Sequence, residues 1–167
     1  PRTRSQGFGG KADWTVIRAV KEAVGVPVVG SGDIMSPHDA RRMMDETGAD
    51  AVMIGRAALT DPTIFRAVAR FLGDSVEIPP STAGERLDIA LRQLDMLSVE
   101  VSERFAVLNM RKFFGWYSRS ARDGALFRQK VFRAESVDEI VAIVREFQRD
   151  AAETETAAHT HGMVACS

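Results

Sequence analysis

The sequence predicts an α/β chain with β/α units over residues 1–73, a linker over 74–80 and a small all-helical domain over 81–150. Two short apolar runs, Val26-Pro27-Val28-Val29 and Ala51-Val52-Met53-Ile54, alternate with amphipathic stretches through short connections. That alternation is the pattern of parallel strands joined by right-handed crossovers. Past Pro79-Pro80 the apolar residues recur only at three-to-four-residue spacing, the period of packed helices.

The elements follow in order. Asp13 is the expected N-cap of a helix over Trp14 to Val24, whose apolar face is Val16, Ile17, Val20, Ala23 and Val24, with Gly25 stopping it. The run from Val26 has the composition of a strand buried on both faces and ends in Gly30-Ser31-Gly32-Asp33. Ser36, Pro37 and Asp39 open a second helix as N-cap, first helical residue and capping-box partner. Met43 and Met44 point inward, and Gly48 ends it. The second buried strand, Ala51 to Ile54, ends in Gly55-Arg56. Asp61-Pro62 starts a third helix with Ile64, Phe65, Val68, Phe71 and Leu72 on its core face and Gly73 after it. Two strands alone leave open edges. The expectation is therefore the end of a larger TIM-type β/α barrel rather than a small open sheet.

In the helical part, Thr82 to Glu85 form a capping box before Leu87, Leu91, Leu94, Leu97 and Val101. A helix over Phe105 to Ser120 follows, then a turn at Asp123-Gly124 and a short helix over Leu126 to Phe132. Ser136 caps a last helix carrying Ile140, Val141, Val144 and Phe147. Residues 151–167 lack periodicity and are expected to be a disordered tail.

With 45% apolar and 27% charged residues the composition is that of a globular protein. No apolar run reaches the roughly 18 residues of a membrane helix, and the basic N-terminus leads into no signal-peptide core. The single cysteine, Cys166, forms no internal disulfide and suits a reducing cytoplasm. Net charge is −1, yet between Arg104 and Arg133 eight cations face one acid, Asp123. Such a block is the footprint of a polyanionic partner.

Gly32 and Gly55 lie at the same end of neighbouring strands, where glycine lets the backbone approach a ligand. Arg56 adds a fixed positive charge, and the last strands of β/α barrels commonly hold a phosphate. Each glycine alone is equally a tight turn; the pairing with Arg56 favours phosphate. Asp33, just past a strand end, is a ligand-contacting candidate or a loop cap. His38 is a surface residue, and the tail residues His159 and His161 are expected to touch a metal only adventitiously. No metal-ligand constellation or nucleophile–base pair is evident. In Arg111 to Arg119, cations alternate with aromatics, a composition suited to RNA. Phe113 and Phe114, at helical spacing, are read as core, and Arg111, Lys112 and Arg119 as a solvated face.

Taken together, these segments resemble the tRNA-dihydrouridine synthase family. Pro1-Arg2-Thr3-Arg4 looks like the end of its His-x-Arg-Thr-Arg loop. Val26 to Ile34 resembles its flavin-contacting strand end, although Ser31 stands where the family usually has Asn. Gly48 to Ala58 is similar to its last barrel strand, and Arg111-Lys112 with Trp116-Tyr117 to its Arg-Lys-x-x-x-Trp-Tyr helix. The resemblance covers about residues 1 to 150. It implies a barrel with bound FMN followed by a helical domain that holds tRNA, acting as a monomer. FMN reduced by NADPH delivers a hydride to C6 of an extruded uridine, and a cysteine donates the proton at C5. The resemblance carries over Ser31, Gly32, Asp33, Gly55 and Arg56 as cofactor-side residues and Arg2 as a substrate-side group.

The chain opens without an initiator Met on what reads as a functional loop. It is expected to be the C-terminal portion of a longer enzyme, without the catalytic cysteine and inactive alone. Two alternatives stand beside this reading. One is another phosphate-binding β/α-barrel enzyme, an FMN oxidoreductase or a sugar-phosphate isomerase, which would not need the basic helices. The other is a non-catalytic RNA-binding fragment.

Overall fold

A computed structural model describes Gly7, residues 9–119 and residues 121–164, with side chains as far as Ala151. The chain forms two compact units, Pro1–Ser81 and Thr82–Ser167.

The first unit is α/β. Its elements are α1 (Thr15–Ala23), β1 (Val29–Ser31), α2 (Pro37–Thr47), β2 (Ala51–Met53), α3 (Arg56–Thr60) and α4 (Ile64–Asp74). The strands pair in parallel, Val29 with Ala51, Gly30 with Val52 and Ser31 with Met53. α2 makes the crossover between them. Its Ser36 hydroxyl accepts the Asp39 N–H at 3.1 Å, and Gly48 closes it in the left-handed conformation. A Cβ on Gly30 would lie 2.9 Å from the Met43 sulfur, so glycine lets α2 settle directly on the sheet. Ile17, Ile34, Ala40, Met43, Ala49, Ala57, Ile64 and Val68 form the core.

Several expectations change here. The strands are not buried on both faces. Gly30 is buried under α2, while Val29 is 59% and Met53 53% exposed on the other side. The two paired strands have helices of this unit on one face only. For the same reason only Ile17 of the predicted α1 face is buried, and Val16, Val20 and Val24 remain exposed, because an apolar stripe that wide needs more than α2 beside it. Phe65 is exposed in α4, whose inward residues are Ile64 and Val68. Gly73 lies inside α4, and Ser75 takes the left-handed position that ends it. Asp13 caps α1 from one residue before the N-cap position, its Oδ1 accepting the Thr15 N–H at 2.9 Å and hydroxyl at 2.6 Å.

The second unit is helical: α5 (Ala83–Glu100), α6 (Glu103–Tyr117), α7 (Gly124–Arg133) and α8 (Val137–Val164). α5 starts in a capping box, with Thr82 Oγ1 accepting from the Glu85 N–H at 3.1 Å and Glu85 Oε2 from the Thr82 N–H at 2.8 Å. Leu87, Leu94, Met110, Phe114, Val131, Ile140 and Val144 are fully enclosed in its core. Two arginines stabilise the C-terminal end of α6, where cations oppose the helix dipole. Buried Arg86 donates through Nε to the Tyr117 carbonyl at 3.0 Å, and Arg128 through Nη1 to the Ser118 carbonyl at 3.3 Å. The helix α8 continues through Val164, across most of the residues assigned to a disordered tail. Ala and Glu are frequent from Ala151 to Ala158 and carry high helix propensity without any apolar period. Cys166 lies outside the described residues.

Candidate functional site

The ends of β1 and β2 bring the five predicted cofactor-side residues together. Ser31, paired with Met53, turns its hydroxyl toward the Met53 sulfur at 3.8 Å. Gly32 follows with φ +129° and no room for a side chain: a Cβ there would lie 2.5 Å from that of Ala12. Its carbonyl accepts the Trp14 indole N–H at 3.0 Å. Asp33 is left-handed, with φ 57°, a conformation that Asp tolerates better than most residues.

The Asp33 carboxylate accepts from different segments of the chain. Oδ2 accepts the Ala12 N–H at 2.7 Å, and Oδ1 accepts the Arg56 Nη2 donor at 2.6 Å. Arg56, expected as a phosphate donor, is thus also an ion-pair partner, with its side chain 45% exposed. Beside it, no described residue lies within 4 Å of the position a Gly55 Cβ would take. A glycine without a close neighbour next to a guanidinium, whose charge is fixed and whose donors lie in one plane, is a composition that fits an anion. The helix that follows, α3, has only five residues, so the cation matters more than the dipole.

Asp33 and Arg56 line a cleft of about 640 Å³, with Lys11, Asp13, Trp14 and Arg42 among its other walls. The Arg42 guanidinium lies 4.8 Å from the centre of the Trp14 ring. Trp14 and the loop before it were missed as site residues. The available signal was an indole, with its single donor, at the entry of a helix whose other apolar residues are aliphatic. His38 is exposed, 4.6 Å from the Phe71 ring and 2.9 Å from Glu77. Among the described residues no group of three or more His, Cys, Asp or Glu is placed to hold a metal ion. No helix among them is long and apolar enough to cross a membrane.

In the helical unit the predicted cations separate. Arg111 is only partly exposed and donates through Nη2 to the Ala134 carbonyl at 2.7 Å, while its Nε is buried without a partner. Arg128 is engaged at the end of α6, and Lys130 pairs with Glu146 at 2.8 Å. Lys112 is exposed on α6, 5.2 Å from the Phe113 ring centre, and Arg119 is exposed in the turn just past the end of that helix. Phe114 is fully buried and Phe113 packs on the core, as expected of aromatics at helical spacing. The exposed aromatics are Phe105 and Phe132, which the sequence reading did not single out. Arg2 lies outside the described residues.

The sequence model of the dihydrouridine synthase family matches residues 1–154. A tRNA-dihydrouridine synthase B of Xanthomonas axonopodis pv. citri is 41% identical over 146 residues, 87% of this chain and 44% of that protein. One of Yersinia pestis is 41% identical over 142 residues, 83% of this chain and 43% of its own length. A probable tRNA-dihydrouridine synthase of Rickettsia conorii is 35% identical over 130 residues, 78% of this chain and 39% of that protein. The chain spans less than half the length of these relatives. A family match over nearly the whole chain, with relatives 35–41% identical over most of its length, places this chain in the dihydrouridine synthase family.

Proposed function

We propose that this chain supplies the cofactor-phosphate side and a tRNA-holding helical domain of an enzyme that reduces uridine to dihydrouridine in tRNA. The observation that carries this reading is the pairing of Asp33 and Arg56 across adjacent parallel strand ends, beside the open space at Gly55. FMN, with NADPH as reductant, supplies the hydride when bound. Arg56 and the backbone at Gly55 bind the phosphate, Gly32 keeps the β1 end free of side-chain bulk, and Asp33 orients the guanidinium. Ser31 completes the strand-end set. Arg2 is placed on the substrate side, and Lys112 and Arg119 meet tRNA phosphates.

The same reading completes the sheet as a TIM-type barrel. Helices of the first unit cover one face of the two strands, while Val29, Ala51 and Met53 present an apolar face that further strands would enclose. The family relationship and the reducing chemistry suit a cytoplasmic enzyme working as a monomer.

The test is a graft. Residues 1–150 replace the matching stretch of the Xanthomonas relative, and the purified chimera is assayed for flavin absorbance and for dihydrouridine in tRNA. Retained flavin and product are expected. A folded chimera that carries no flavin would remove the cofactor-side assignment, and one that binds flavin but forms no dihydrouridine would remove the tRNA reading.

A further inference from the structure

We propose that the exposed face shared by α6 and α7 takes an unpaired stretch of RNA, with the Phe132 ring as a stacking platform for one base and the cations beside it on phosphates. The class of partner rests on the tRNA reading above. What is added is a base contact at a residue outside the predicted phosphate-binding set.

Arg104, Leu108, Lys112 and Gly115 follow one another at helical steps, so they share one line of α6. Arg104, Leu108 and Lys112 are exposed, and so is Phe105 beside them. From α7, the Phe132 ring lies over the glycine: a Cβ on Gly115 would stand 3.3 Å from Phe132 Cε2 and 3.5 Å from Cζ. A methyl group there would crowd the ring, so glycine lets it rest close to the helix. Arg128, one turn earlier on α7, has its Cδ 3.9 Å from the same point and donates to the Ser118 carbonyl at 3.3 Å. One side of the ring is thus held by the fold, while half of its surface stays open.

Charge decides what fits the open side. Beyond Glu103 neither α6 nor α7 carries an acid. Other cations are answered within the fold: Lys21 by Asp50, Arg70 by Asp74, Lys130 by Glu146 and Arg145 by Asp88. Arg104 and Lys112 have no ion pair among the described residues. Unanswered cations beside a half-exposed ring suit a partner that carries both negative charge and flat apolar surfaces, as nucleotides do. A base inside a duplex keeps its faces in the stack, so only an unpaired one can lie on Phe132. Stacking on an aromatic tolerates any base, so this face senses pairing rather than base identity. A ring already held by Gly115 and Arg128 loses little freedom on binding.

Binding of the full chain is followed by fluorescence anisotropy over a range of salt concentrations. The probes are a single-stranded RNA of mixed sequence, the same strand paired to its complement, an abasic oligomer of equal charge, and tRNA. Phe132→Leu should weaken the single strand about five- to twentyfold, the lower range for one lost base stack, with its salt dependence unchanged. Duplex and abasic oligomer should bind that variant as they bind wild type. Lys112→Gln should instead weaken the single strand and the abasic oligomer alike and flatten the salt dependence by about one contact. Phe132→Trp should bind like wild type, and its added emission should be quenched by the single strand but not by the abasic oligomer. That quenching decides the matter even if Phe132→Leu fails to fold. Equal loss for the single strand and the abasic oligomer, no loss for either, or unquenched emission overturns the proposal. So does a Phe132→Leu chain that keeps its RNA affinity but loses self-association in sedimentation or binding to phosphatidylserine vesicles, which assigns the face to a second copy or a membrane. If tRNA and the single strand bind and Phe132→Leu changes neither, only the stacking role falls; if wild type binds neither, the tRNA reading falls with it.

Discussion

Asp33 and Arg56, 23 residues apart and at the ends of adjacent parallel strands, meet through a 2.6 Å ion pair on the wall of one cleft. An exposed pair of this kind contributes little to stability by itself. Its value is geometric. Replacing Arg56 by Ala should therefore leave the denaturation midpoint nearly unchanged and, in the chimera that carries residues 1–150, weaken FMN binding by about 1–3 kcal/mol, the scale of a lost charge-assisted hydrogen bond. Riboflavin, which has no phosphate, should bind both forms equally in a parallel titration. FMN affinity unchanged by the substitution would take Arg56 out of the phosphate site.

The strand end just before that pair tolerates no side chain. Gly32→Ala places a Cβ 2.5 Å from Ala12 at φ +129°, so loop and strand must move apart. A loss of at least about 1–3 kcal/mol is expected from the backbone strain alone, read as a lowered midpoint in urea. A fully stable variant would mean that the Ala12 loop does not rest on Gly32 in solution.

Lys112 on α6 and Arg119 just past its end, both exposed, should behave differently from Arg111. Reversing both to Glu is expected to flatten the salt dependence of tRNA binding by about two phosphate contacts, at a log–log slope of roughly 0.7–0.9 each, while the fold is kept. Arg111→Glu should instead destabilise the chain by about 1–3 kcal/mol, because it removes the bond to the Ala134 carbonyl and puts an acid where Nε is buried. Salt-insensitive tRNA binding, or a stable Arg111→Glu chain with weakened RNA affinity, would reverse these roles.

Lys21 and Asp50 tie α1 to the start of β2, with Lys21 Nζ 2.7 Å from Asp50 Oδ2, and the same oxygen accepts the Val28 N–H at 2.7 Å. Both bonds hold the Asp50 carboxyl below its ordinary value, the Lys21 bond more strongly. A depressed carboxylate stabilises the fold fully above the unfolded-state value, and that contribution is lost as pH falls through the folded one. Asp50→Asn should thus be less stable than wild type at neutral pH, with the gap closing as the solution is acidified below the usual carboxylate range. A gap that stayed constant down to strongly acid pH would show that the charge is not what matters.

Local signals were legible where the chain itself supplies both partners. The Thr82–Glu85 box, the Ser36 cap, the Gly48 terminus and the helical core of Leu87, Leu94, Ile140 and Val144 follow from spacing, because each needs only residues a turn or two apart or one period on a helix. The gathering of Ser31, Gly32, Asp33, Gly55 and Arg56 was legible in part, since consecutive parallel strands put their C-terminal ends side by side. Helix faces were less so. Val16, Val20 and Phe65 have the right period to be core and stand exposed, because period says which residues share a face but not what covers it.

The sequence by itself determined the alternation of strand and helix, the caps, the change to a helical unit after Pro80 and the family. All of these are written in neighbouring residues or in motifs read in order. Only the tertiary structure decided that Arg56 is paired with Asp33, that Ala12 and Trp14 close against Gly32, and that Arg111 braces α7 rather than facing solvent. Those contacts join residues 18 to 23 apart, a separation at which no local period operates and only the packing of one element on another brings a donor to its acceptor.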